Sequence, residues 1–298
     1  MIRGPTTGLR VSTLGTFAAC LLVGVFGLTG CDGDDGSDGA AGPQGPTGPA
    51  GPAGPPGPAG GAGIASADEI NISDQQVAIP DGGGAPVLSF KLTDASGVGL
   101  TGLTANQARF TIAQLSPGTD GSSSEWQSYI TRDDGGVPNI QATAERATDG
   151  TFVDNGDGTY QYTFAEALTD YPAAPTFDPT KTHRISMQLG TDPLPTSNGS
   201  YDFVPAGGAV TFTRAIVDND TCNACHDQLA FHGGGRFDVE YCVTCHNPYS
   251  IDGNTDNSVD MKWMVHKIHM GEELEYGYTV VGHNDRLYDY SDIVFSQA

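Results

Sequence analysis

The hydrophobic pattern of this chain changes character three times. Residues 11–30 form a nearly continuous, uncharged apolar run, VSTLGTFAACLLVGVFGLTG. Residues 31–64 then carry no hydrophobic period. From residue 65 to residue 216, short stretches rich in β-branched and aromatic residues alternate with Gly, Asp and Pro turns, and no helical period is sustained. Strands are expected at residues 76–79, 87–92, 108–115, 126–131, 158–164, 183–189, 200–204 and 209–216, separated by the turn strings DASG, SPGTDG, DNGDGT and GTDP. About eight strands at such spacing predict a β-sandwich or split barrel. Beyond residue 217 one stretch, SVDMKWMVHKIHMG, takes up the helical period. Met261, Met264, Val265 and Ile268 form its apolar stripe, Ser258 is the expected N-cap, Asp260 lies in the first turn and Gly271 is the stop. The fold class expected is therefore mainly β, with a β-sandwich or split-barrel domain over 65–216 and a loop-rich, partly helical segment over 217–298.

The apolar run near the N-terminus is preceded by Arg3 and Arg10, which gives residues 1–30 the form of a signal peptide. It ends in Leu28-Thr29-Gly30-Cys31, a tetrapeptide that resembles a bacterial lipobox with Cys31 as the lipidated residue. An uncleaved membrane span fits less well, because the apolar core is short and rich in Gly and Thr. Cys20, inside the run, reads as a small hydrophobe. Glycine then recurs every third residue from Gly33 to Gly63, the collagen period. Only seven of the twenty X and Y positions in its ten triplets are proline, so residues 31–64 read as an extended, polyproline-like spacer in preference to a trimerising triple helix.

Charge narrows the set of partners. The chain carries 36 acidic and 13 basic residues, a formal net charge of -23, and no Lys or Arg between Arg10 and Lys91. Such acidity repels phosphate backbones and excludes a nucleic-acid partner, while it suits solubility and attraction to metal ions. The β-rich region carries no evident chemistry. His183 opens the strand HRISMQLG and is expected to be structural. The acidic string DNGDG at residues 154–158 resembles half a calcium loop but lacks the closing Glu, so it reads as a turn.

Chemistry concentrates after residue 217. Five of the seven histidines, and four of the six cysteines, fall between Cys222 and His269. The strings Cys222-Asn223-Ala224-Cys225-His226 and Cys242-Val243-Thr244-Cys245-His246 both have the haem-attachment form. Two thiols two residues apart can each bond one haem vinyl group, and the adjacent imidazole is then held beneath the iron. Sixteen residues separate Cys225 from Cys242, a spacing that also suits a four-cysteine zinc ribbon. Histidine directly after both pairs decides for haem, a coincidence expected by chance about once in two thousand at this composition. Two disulfides would close cramped rings of little stabilising value. The reading is two haem c groups, held by Cys222, Cys225, Cys242 and Cys245, with His226 and His246 as proximal ligands.

A second axial ligand separates electron transfer from small-molecule chemistry. His232, His266, His269 and His283 are the distal candidates. His266 and His269 lie three apart on the expected helix, where each is able to reach a different iron. Met261, Met264 and Met270 are expected to pack. The glycines after His232, in HGGG, would let backbone pass close to a haem. The sequence contains no Ser-His-Asp grouping, P-loop or dinucleotide fingerprint, so the chain reads as an electron carrier or terminal metal reductase, not an acid-base enzyme. The competing reading is a surface adhesin or stalk lipoprotein whose CxxC…CxxC segment is a zinc ribbon.

From CNACHDQLAFHGGG through DVEYCVTCHNP to MVHKIHMG, the chain resembles the first haem-binding segment of the OmcA/MtrC family of outer-membrane decahaem c-type cytochromes. The resemblance implies a cell-surface lipoprotein that moves respiratory electrons to metal oxides or flavins, with other multihaem cytochromes or outer-membrane porin-cytochrome assemblies as partners. Carried over by position, it makes His226 and His246 proximal ligands and His232, His266 and His269 distal candidates, with His283 a weaker one. Family members have ten haems and this chain has two motifs, so an N-terminal portion of a longer protein is expected. Asp32, directly after the lipidated position, leaves the inner membrane as the alternative destination.

Overall fold

The computed structural model describes residues 39–46, 48–49, 51, 61–133 and 140–295. The expected leader, Cys31 and most of the Gly-X-Y run lie outside these residues. The chain divides into two units, Met1–Pro55 and Pro56–Ala298. In the first, the described residues are exposed and have no regular secondary structure. Among the described residues no helix is long and apolar enough to cross a membrane.

The second unit is built on two antiparallel sheets. Their strands are β1 (Asn71–Ala78), β2 (Val87–Thr93), β3 (Ala108–Ser116), β4 (Glu125–Ser128), β5 (Glu145–Arg146), β6 (Thr151–Asp154), β7 (Thr159–Thr163), β8 (His183–Leu189) and β9 (Ser197–Phe203). The four-stranded sheet runs β6-β7-β2-β1; the five-stranded sheet runs β9-β8-β3-β4, with β5 also on β3. Alternation explains how they pack. Leu88, Phe90 and Leu92 of β2 and Tyr160 and Tyr162 of β7 share one buried cluster with Phe110 and Ile112 of β3 and Ile185, Met187 and Leu189 of β8. Phe110 stacks on Tyr162 with ring centroids 4.3 Å apart, and Phe90 stacks on Tyr160 at 5.5 Å.

Strand β8 is buried along its whole length, on both faces. Its odd-numbered residues enter the sandwich core. Its even-numbered residues, Arg184, Ser186 and Gln188, lie on the outer face, which is covered by the segment that follows the sheets. That segment contains α1 (Asn219–His226), α2 (Val239–Cys245), α3 (Met261–Met270) and a hairpin of β10 (Thr279–Gly282) and β11 (Arg286–Asp289). Ala113, Leu115 and Trp126 form a second, small apolar cluster on the outer face, against which Val243 of α2 packs.

Two expected strands differ in the structure. The stretch 126–131 is broken: β4 ends at Ser128, and Thr131–Asp133 pairs with Ile140–Ala142 in a separate ribbon. Tyr129, between them, turns inward and donates its hydroxyl to Gln114 Oε1 at 2.9 Å. Residues 209–216 form no strand, because Gly207 and Gly208 adopt φ of 86° and 101° and lead the chain off the sheet edge. Ile216 is left 75 % exposed, so the alternating pattern there meets no partner. In the acidic turn, Asp154 accepts from the N–H groups of Gly102 and Gly156, and Asp157 accepts from Thr159; both carboxylates are occupied by the chain itself.

His183 is fully buried among Tyr129, Phe177 and Phe203. Its Nδ1 lies 3.0 Å from the Lys181 carbonyl and its Nε2 2.9 Å from the Tyr129 hydroxyl. Burial pushes this imidazole down to about 4 from 6.5. The unfolded chain therefore binds the proton more tightly, so His183 withdraws stability as pH falls from about 6.5 to about 4, and has no further effect above or below that window. The expected loss is about 3 kcal/mol. Urea unfolding across that window is expected to show it, with a shallower decline in His183→Leu.

Candidate functional site

Both CxxCH strings fold as short helices because each begins with an aspartate cap and its cysteines fall on successive turns. Asp218 caps α1, its Oδ1 accepting from Thr221 N at 2.8 Å and from Thr221 Oγ1 at 2.6 Å. Those bonds hold the Asp218 carboxyl below the usual carboxylate range. Helix α1 buries no residue, and it ends at His226, after which Asp227 takes φ 54°. Asp238 caps α2 in the same way, accepting from Glu240 N at 3.0 Å. This second helix is held harder: Val239, Tyr241 and Thr244 are buried, and the Thr244 hydroxyl meets that of Thr111, on β3, at 2.9 Å. Burial pushes the Cys242 thiol up to about 12 and raises that of Cys245 as well. All four thiols are free.

The fold brings each motif histidine opposite a second histidine. The rings of His226 and His269 lie 5.9 Å apart at an interplanar angle of 77°, and those of His246 and His232 lie 5.9 Å apart at 35°. His269 sits on α3, which Gly271 stops as expected; a Cβ on Gly271 would meet the Ile293 carbonyl oxygen at 1.9 Å. The N-cap of α3 is Asp260 and not the expected Ser258, which pairs with Ile251 in an isolated bridge. His232 lies in a tight loop closed on both sides by Phe231 and Arg236, which exchange backbone hydrogen bonds of 2.9 and 3.1 Å. Asn198 of β9 fastens this loop to the sheet by donating to the Gly235 carbonyl at 3.0 Å and accepting from Phe237 N at 2.9 Å. Gly235 brings the backbone close to Gln188, whose Nε2 would stand 2.5 Å from a Cβ at that position.

Backbone carbonyls orient two of these four rings. Nδ1 of His246 lies 2.8 Å from the Val259 carbonyl, and Nδ1 of His269 lies 2.7 Å from that of Val265. With Nδ1–H donating, Nε2 is the free nitrogen, the arrangement in which an imidazole is held for a metal. The other two expected distal candidates are not brought to a motif histidine. His266 is exposed, with Nδ1 2.6 Å from the Lys262 carbonyl, and His283 is exposed in the turn that precedes β11. Three residues of helix set His266 and His269 about 60° apart, and of the two only His269 has a motif histidine opposite its ring.

An iron bound between two imidazoles requires ring centres about 6 Å apart. Both histidine pairs meet that requirement, and each lies beside two free thiols, so the residues present fit haem c. They do not fit the zinc ribbon: among the described residues no three His, Cys, Asp or Glu side chains converge as a metal cage requires. Apolar surface at the first pair is exposed, with Phe295 against His269 at 5.2 Å and both Met270 and Ile293 partly uncovered.

Several residues that position the site carried no motif. Arg184 is almost fully buried, pairs with Asp202 through two bonds of 2.5 and 2.8 Å, lies 4.6 Å over the Trp126 ring and donates to the Glu240 carbonyl of α2 at 3.3 Å. Arg236 lies 5.2 Å from the centroid of Tyr241 and donates to Gln188 Oε1 at 3.1 Å. Only the strict alternation of HRISMQL, with polar residues on a face expected to meet solvent, hinted at the role of β8.

Comparison with known proteins agrees with this geometry. The family described as the OmcA-like N-terminal domain matches residues 72–210, and the outer membrane cytochrome MtrC/MtrF-like family, domains II/IV, matches residues 214–291. The multiheme cytochrome MtrC of Shewanella baltica strain OS185 is 36 % identical over 175 residues, which cover 55 % of this chain and 25 % of that protein. The crystal structure of the outer membrane decaheme cytochrome OmcA superposes with a TM-score of 0.68 at 31 % identity, over 78 % of this chain and 39 % of that one. That of MtrC from Shewanella baltica OS185 gives 0.55 at 30 % identity, over 70 % and 33 %. The chain thus spans a quarter of the curated relative and well under half of the solved ones. A β-sandwich followed by a segment with CxxCH helices and opposed histidines defines a c-type multihaem cytochrome. Matched along most of its length by the two domain families, this chain belongs to the OmcA/MtrC family of outer-membrane cytochromes.

Removing the Arg184 guanidinium leaves Asp202 without its partner and takes away one of the bonds that hold α2 to the sheet. Arg184→Ala is expected to lower stability by about 2–4 kcal/mol, read from the shift of the denaturant midpoint.

Proposed function

We propose that this chain carries two haem c groups and passes electrons one at a time. In this reading the first is linked through Cys222 and Cys225 with His226 and His269 as axial ligands, and the second through Cys242 and Cys245 with His246 and His232. The observation that carries the reading is the pair of 5.9 Å histidine oppositions, one beside each CxxC string. Haem iron, when bound, supplies a one-electron couple. The chain's own residues hold two of the imidazoles, His246 and His269, by Nδ1–H bonds to Val259 and Val265, and with four histidines would occupy both axial positions so that oxygen and substrate are kept from the metal.

The finer reading follows the family. The haem-bearing segment, 217–298, works behind a β-domain, 65–216, at the outer membrane and cell surface. Residues 1–30 are removed, Cys31 is the lipid anchor and residues 31–64 are the spacer. Electrons come from other multihaem cytochromes or a porin-cytochrome assembly and leave to metal oxides or flavins. Similarity to the multiheme cytochrome MtrC and the outer membrane decaheme cytochrome OmcA supports electron transfer at the outer membrane.

Expressed with haem-attachment machinery, the full chain is expected to gain the mass of two haems and a c-type absorption spectrum; a colourless product would overturn the proposal. Reduced protein is expected not to bind carbon monoxide. His269→Ala is expected to open one iron per chain to carbon monoxide and His266→Ala none; the reverse result would break the proposed pairing.

A further inference from the structure

The two sites have the same donor set and different electrostatic surroundings. Around α1 the ionised groups are acidic: Asp218 caps it, Asp220 lies in its first turn and Asp227 follows His226. No Lys or Arg occurs between Arg214 and Arg236. On α3, which brings His269, the Lys267 ammonium lies 5.2 Å over the Tyr278 ring and that of Lys262 lies 5.1 Å over Trp263, while Glu272 and Glu273 follow directly.

Around α2 cations match the carboxylates. Of the nearby carboxylates, Asp202 is bound by Arg184, Glu240 lies 3.7 Å from the same guanidinium, Asp238 caps the helix and Asp149 accepts from Arg146 N and acts on Arg109. Three further arginines gather there. Arg236 closes the His232 loop and lies over Tyr241, next to Cys242. Its Nε binds Gln188, which stands opposite Arg109 across the sheet, and Arg109 in turn stands opposite Arg146. Among the described residues none of these three is in an ion pair. Their mutual repulsion is real: burial, then Arg146, then Arg236 lower the affinity of Arg109 for its proton.

A ferric haem carries one more positive charge than a ferrous one. A fixed cation and a low-dielectric setting therefore favour the reduced iron, and carboxylates in water favour the oxidised iron. We propose that Arg236, backed by Arg109 and Arg146, poises the second CxxCH site at the higher potential, so that an electron shared by the two sites rests at the second. This rests on the two-haem reading above. In the exchange one electron leaves ferrous iron at the first site, which becomes ferric, and reduces ferric iron at the second; no bond forms or breaks and no proton moves. Arg236 acts as a positioning residue, through charge, without touching the iron.

The test is a potentiometric titration of the full chain, after mass measurement has established two haems. Two one-electron waves are expected. Cys242→Ala with Cys245→Ala is expected to leave the lower wave, and Cys222→Ala with Cys225→Ala the upper. Arg236→Gln is expected to shift the upper wave down by a tenfold change in its equilibrium constant, about 59 mV for one electron, and to leave the lower in place. Arg236→Lys, which keeps the charge, is expected to restore most of the shift, and Arg286→Gln, on the remote hairpin, to move neither wave. If the wave that survives loss of the second site is the upper one, or if Arg236→Gln and Arg236→Lys behave alike, the proposal is overturned while the two-haem reading stands. A chain that binds no haem covalently overturns both.

Discussion

The seating of α2 on the outer face of the five-stranded sheet is the constraint on which the rest of the haem segment depends. A sheet in a sandwich ordinarily keeps one face for the core and gives the other to water. Here β8 is buried on both faces, because Arg184, Ser186 and Gln188 meet the chain that follows the sheets. The contact is part apolar, through Trp126 and Val243, and part polar, through the Thr111–Thr244 hydroxyl pair and the Arg184–Asp202 ion pair. Burial of the ion pair contributes little net stability, but loss of either partner would be costly, so the polar contacts serve register more than strength. With α2 fixed, the positions of Cys242, Cys245 and His246 are fixed relative to Asn198, and Asn198 in turn holds the loop that presents His232.

The first site is built differently. Helix α1 has no buried residue, and the imidazole opposite His226 comes from α3, more than forty residues further along the chain. What closes this pair is the stop at Gly271, pressed against Ile293, and the ring of Phe295 against His269. A site with so little protein around it is one in which a porphyrin, with its large apolar faces, would supply much of the packing itself. The second site is preformed by the sheet, and the first is completed by what it holds.

Legibility in the sequence followed the range of the interactions. The CxxCH strings are local, and so are the helix they initiate, the apolar stripe of α3 and the stop at Gly271; each could be read within a few residues. Strands with strict alternation were equally plain, and 183–189 is found to the residue. Residues 209–216 alternate just as well but lie beyond Gly207 and Gly208, whose backbone turns them off the sheet, and a pattern cannot show that its partner is absent. The distal histidines were legible only as a set. That His232 and His269, and not His266 or His283, stand opposite a motif histidine depended on the register of β8 with β9, which places Asn198, and on the phase of α3 against α1. Arg236 was visible as a residue and not as a charge beside a metal site, because its neighbours Arg109 and Arg146 arrive from strands ninety or more residues upstream.

The charge of the chain takes on meaning from this arrangement. With 36 acidic residues against 13 basic ones, a random placement would leave both sites in a negative field. A negative field alone makes ferric haem more stable at both, so it moves both potentials together and sets no direction. Direction needs a difference, and a scarce charge creates a larger local contrast than an abundant one. Four arginines, nearly a third of all the basic residues, are drawn to the sheet around α2; Arg184 is buried there and Arg109 and Arg236 are half-buried, so these three act at longer range than they would on the open surface, while Arg146 is exposed. The same sheet that fixes the geometry of the second site therefore also delivers its cations, whereas α1, outside the sheet's reach, keeps only the aspartates of its own sequence.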